Sequence, residues 1–118
     1  MASIRTVVET YFNALASKDI ATAYAQLAPD LEFVGPTARY RSAEAFLPAL
    51  EGFAKMIRSA RMTHLLVEGD QAAMLYDCEL PFGTLRIASF FRVENDKIRW
   101  YETQFDATDL RKLLPPRN

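Results

Sequence analysis

A chain of 118 residues, 50% hydrophobic and 25% charged, can bury about two-thirds of its unfolded surface, so residues 1–118 read as one domain that needs neither metal nor disulfide to fold. Fourteen basic and fifteen acidic residues leave a net charge of -1, which excludes the basic field a nucleic-acid reader needs. Cys78 is the single cysteine, which excludes an intramolecular disulfide and a multi-cysteine zinc site and suits a reducing cytoplasm. Residues 1–6 lack the charged and apolar regions of a secretory signal, and no apolar run approaches the roughly eighteen residues of a bilayer span, so no membrane partner is expected.

The first element is an amphipathic helix. Ile4, Val7, Val8, Tyr11, Phe12 and Leu15 fall at i, i+3, i+4, i+7 spacing, so Tyr11 points inward with the apolar stripe. A buried phenol needs a hydrogen-bond partner. Asp19 caps a second helix whose apolar face is Ile20, Ala23, Tyr24 and Leu27, and Pro29 ends it. A short strand over 31–34 stops at Gly35-Pro36, and a polar loop covers 37–41. Ser42 caps a third helix carrying Phe46, Leu50, Phe53 and Ile57, in which Pro48 predicts a kink or short break near Leu47. Strand-like segments over 61–68, 71–80, 84–94 and 97–105 are joined by Gly69-Asp70, Phe82-Gly83 and Asn95-Asp96. Asp106 caps a last helical turn over 107–114, ended by Pro115-Pro116.

Three helices followed by a curled antiparallel meander make an α+β fold with the helices on one face of the sheet. Alternation assigns Met74, Tyr76, Cys78 and Leu80 to the helix-facing side, with Leu85, Ile87, Ser89, Phe91 and Val93 from the next strand and Tyr101, Thr103 and Phe105 from the last. Leu75, Phe90 and Trp100 share the opposite parity. They converge into an outer apolar patch, rimmed by Asp77, Glu79, Arg92 and Glu102, that suits a twofold dimer interface.

The runs Val7 to Leu15 with Lys18-Asp19, Tyr40-Arg41-Ser42, and Phe91-Arg92-Val93 through Lys97-Ile98 to Phe105-Asp106 resemble the nuclear transport factor 2-like superfamily, in its SnoaL-like and ketosteroid isomerase branch. The resemblance covers residues 6–114. It implies a cone-shaped sheet around a pocket, usually in a homodimer, on a fold that hosts isomerases, dehydratases, cyclases, epoxide hydrolases and non-catalytic modules. Tyr11 matches the oxyanion-donating phenol of the ketosteroid isomerases, and Ser89 falls where those enzymes carry a second donor. Their general base falls on Gly35, which has no side chain. The epoxide-hydrolase pattern is not matched by Tyr76-Asp77-Cys78-Glu79 and Glu102-Thr103-Gln104.

Each candidate has a structural competitor. Tyr11 is an oxyanion donor or a core aromatic. His64, the single histidine, is a general base if it faces the pocket and an interface or structural residue if it does not, and strand parity leaves its face open. Asp77 and Glu79 point the same way, a carboxylate pair whose parity puts it away from the helices. Cys78 reads as a small hydrophobe. Arg39 and Arg41 flank the mouth, and could steer an anionic ligand or simply be solvated.

Phe33, Phe53, Met56, Tyr76, Cys78, Phe91, Tyr101, Thr103 and Phe105 read as pocket lining mixed with core, suited to an apolar, ring-containing small molecule. With no clustered metal ligands, neither metal nor cofactor is expected. The leading reading is a cytoplasmic homodimer binding such a molecule. Any chemistry would be cofactor-free isomerisation, dehydration or cyclisation, with Tyr11 and Ser89 polarising a carbonyl and His64 or water as base. The alternative is a non-catalytic ligand-binding or dimeric association module.

Overall fold

The computed structural model describes residues 3–105. Helix α1 (Ile4–Ala16) is capped by Ser3, whose hydroxyl accepts from the Thr6 amide, and buries Val7, Val8, Tyr11, Phe12 and Leu15. Lys18 adopts φ 64° and turns the chain into α2 (Ile20–Ala25), where Asp19 accepts from the Thr22 amide. The Thr22 side chain first, and that amide second, lower the Asp19 carboxyl from its ordinary value.

The second helix ends before Leu27, because β1 (Leu27–Val34) begins four residues ahead of the expected strand and takes in Pro29. The register of β1 shifts between Leu27 and Glu32, the kind of irregularity that accommodates a proline inside a strand. The polar loop contains a two-residue strand, β2 (Arg39–Tyr40), paired with Phe33 and Val34.

Helix α3 (Ala43–Met56) is capped by Ser42 and runs unbroken through Pro48, against the expected break. Pro48 and Glu44 both lie on the exposed face, so water can serve the carbonyl that proline leaves unpaired, while Phe46 and Leu50 anchor the buried face.

Strands β3 (Ser59–Glu68), β4 (Gln71–Leu80), β5 (Gly83–Glu94) and β6 (Lys97–Gln104) form the antiparallel meander. The curved, open sheet is mixed rather than purely antiparallel: its order is β2-β1-β6-β5-β4-β3, and β1 runs parallel to β6. The alternation holds. Met74, Tyr76, Cys78, Leu80, Leu85, Ile87, Phe91, Val93 and Tyr101 are buried against the helices, joined by the buried polar residues Ser89 and Thr103. The expected turn over 107–114 lies outside the described residues. Among those residues, no helix is long and apolar enough to cross a membrane.

Candidate functional site

The helical phase of α1 and the pleat of β4 and β6 bring Tyr11, Tyr76 and Thr103 to one wall of a cavity of about 240 Å³ between the helices and the sheet. Phe46, Ala49, Leu50 and Phe53 of α3 form the opposite wall, and Phe33, the turn from Gly35 to Ala38, Tyr40 and Phe105 complete it. Among the described residues the lining holds no carboxylate, amine, guanidinium or imidazole.

Tyr11 is 1% exposed, and among the described residues its hydroxyl makes no hydrogen bond of regular geometry. Its ring meets Tyr101 edge-on at 5.3 Å, and Tyr101 in turn stacks on Phe91 at 4.8 Å. Burial, followed by the Tyr101 phenol, through its charge and a weak hydroxyl contact, and then by Tyr76, pushes the Tyr11 pKa well above the ordinary phenol value. Tyr76 is raised by the same two causes, burial first and Tyr101 second, with the Ser89 hydroxyl opposing them. Both phenols therefore stay protonated at neutral pH, each with a proton available to donate.

Ser89 lies behind the wall, not on it: its hydroxyl is 3.1 Å from that of Thr103, which lines the cavity. Of the other lining candidates, Phe33, Phe53, Tyr76, Thr103 and Phe105 face the cavity. Phe91, Tyr101 and Cys78 are buried in the core beneath it, and Met56 is 38% exposed at the end of α3. Burial pushes the Cys78 thiol up to about 11, so it is not an activated nucleophile. Sequence reasoning missed the Gly35–Ala38 turn and Tyr40, read as loop, and Phe46 and Leu50, read as core. Their helical spacing is the same whether the far side is protein or cavity.

His64 is outside the cavity. Met62 pairs with Tyr76 but His64 pairs with Leu75, so a bulge at Thr63 reverses the parity and turns the imidazole to the outer face. The Thr63 hydroxyl holds the bulge, donating to the Leu75 carbonyl at 3.1 Å and accepting from Arg86 at 3.2 Å. Asp77, on the same outer face, is paired with Arg86 at 2.9 Å. Glu79 is exposed there too, so neither carboxylate reaches the cavity. Arg39 pairs with Glu32 at 3.3 Å and does not line the cavity. The outer face also carries a hollow of about 290 Å³ containing His64, Leu66, Leu75, Phe90 and Glu102; Trp100 stands beside it, paired in register with Arg92. Among the described residues no group of three potential metal ligands occurs.

A crystal structure from Kribbella flavida superposes with a TM-score of 0.87 at 22% identity, covering 92% of this chain and 90% of that one. An NTF2-like protein from Cytophaga hutchinsonii gives a TM-score of 0.80 at 20% identity over 94% and 96% of the two chains. An LEH-like epoxide hydrolase from M. tuberculosis gives 0.74 at 20% identity over 92% and 86%. No curated protein matches the chain. At such identities these structures establish a shared fold and leave the chemistry to the site. The family model of the SnoaL-like domain matches residues 8–101, and the chain belongs to that family within the NTF2-like fold.

Proposed function

We propose that the cavity binds an uncharged, largely apolar small molecule through one hydrogen-bond-accepting oxygen held by Tyr11. The observation that carries this reading is the Tyr11 hydroxyl, buried beside a cavity and, among the described residues, with neither a regular hydrogen-bond partner nor a charged side chain in the lining. A buried donor without an acceptor costs about 1–3 kcal/mol, which a ligand oxygen would recover. An ion entering the same space would lose its hydration with no counter-charge to replace it.

Binding without chemistry fits this geometry better than isomerisation, dehydration or cyclisation. The donor half of a proton-transfer site is present in Tyr11 and Tyr76. Among the described residues no base accompanies it: Gly35 has no side chain, and His64, Asp77 and Glu79 lie on the outer face. The epoxide hydrolase on this fold is therefore a relative in architecture. A crystal structure with acetophenone tests the reading. The ketone oxygen should lie about 3 Å from Tyr11 Oη; a ketone seated in the outer hollow, or with its oxygen turned away from Tyr11, would overturn it.

We infer further that two copies associate through the outer face. Leu66 is 70% exposed beside Leu75 and Phe90, and Arg86, Asp77 and Glu102 bring both signs of charge to the same face. A patch with an apolar centre and mixed charges is complementary to itself across a twofold axis. The buried, inert Cys78 suits the cytoplasm that this reading assigns to the protein.

A further inference from the structure

We propose that Gly35 is the gauge of the cavity: having no side chain, it lets the Phe33 ring lie back against the wall and so admits a flat, uncharged two-ring molecule. The inference rests on the cavity reading above. Gly35 is absent from the positive-φ residues, so backbone conformation does not require glycine here. Space does. A Cβ at this position would stand 3.1 Å from Phe33 Cε1 and 3.3 Å from Cζ, closer than ordinary carbon contacts.

Both sides of that contact are held in place by other contacts. The Phe33 ring is stacked on Phe46 at 4.4 Å with an interplanar angle of 25°, and it meets Tyr101 edge-on at 5.0 Å. The Gly35 amide donates to the Ala38 carbonyl at 2.9 Å, which pins the turn. Since Phe33 itself lines the cavity, the direction left to a displaced ring is into the cavity. A methyl group at 35 therefore narrows the space from a distance, and a wide flat ligand loses more than a narrow one.

Titration calorimetry of the full chain with acetophenone and 2-acetonaphthone, two uncharged ketones of one and two rings, tests this. Gly35→Ala should weaken 2-acetonaphthone about fivefold or more while changing acetophenone by less than about twofold, in keeping with the cost of overpacking. Adding Phe33→Leu should restore the wild-type ratio, because it removes the ring tip that the methyl strikes. Parallel losses for both ketones, unchanged affinities, or no rescue by Phe33→Leu would overturn the proposal. If Gly35→Ala does not fold, Phe33→Leu alone must raise the preference for the two-ring ketone, and an unchanged ratio overturns it. A wild type that binds neither ketone would instead reject the cavity reading on which it rests.

Discussion

Tyr11 meets Tyr101 edge-on, with ring centroids 5.3 Å apart at 82°, and this contact fixes the ring while its hydroxyl makes no regular hydrogen bond among the described residues. Tyr11→Phe keeps the aromatic contact and removes the unsatisfied group. The variant should be more stable than the wild type by about 1 kcal/mol in urea unfolding, since the buried hydroxyl no longer has to be desolvated. A loss of stability would mean that the hydroxyl has a partner in the folded protein.

The raised pKa values of Tyr11 and Tyr76 make the fold sensitive to alkali. The unfolded chain releases these phenolic protons near the ordinary value of about 10, while the folded protein retains them above it. Their contribution to stability is complete below that pH and is lost as pH rises toward the higher folded values. Spectroscopic titration of tyrosinate should therefore show two described tyrosines ionising only together with unfolding. Full ionisation in a still-folded protein would contradict their burial.

Asn95 and Asp96 turn β5 into β6 with φ 52° and 63°, the paired left-handed conformation of a tight hairpin. Glycine is favoured at the second position, so Asp96→Gly should add about 0.5–1 kcal/mol of stability, measured by urea denaturation.

The outer face supplies a test of association. Phe90→Glu puts a carboxylate at the centre of the apolar hollow without touching the core, because Phe90 points away from the helices. Sedimentation equilibrium should find a dimeric wild type and a monomeric, folded variant. A monomeric wild type would reject the interface.

Strand parity was readable wherever apolar residues alternate without interruption, which is why β4 runs over the expected residues and the faces of β5 and β6 are as read. It was not readable at His64. A bulge at Thr63 adds one residue to β3, and threonine suits either a regular or a bulged position, so nothing in the local pattern marks the reversal. The onset of β1 was hidden by Pro29, and β2 is too short to carry a period. The parallel pairing of β1 with β6 joins segments far apart in the chain, and no local signal encodes it. At the cavity, the inward phase of Tyr11 followed from helical spacing. The contribution of Gly35 and its turn did not, because a residue without a side chain leaves its mark only through the neighbour that occupies its space.

The central claim, an uncharged ligand held by Tyr11, is tested most directly by titrating the wild type and Tyr11→Phe with acetophenone and with benzoate. Acetophenone should bind the wild type and lose about two- to tenfold in affinity in Tyr11→Phe, the range of one neutral hydrogen bond. Benzoate, of similar shape but charged, should not bind in a cavity whose lining offers no counter-charge among the described residues. Benzoate binding as tightly as acetophenone, or acetophenone binding equally well to both proteins, would contradict the account.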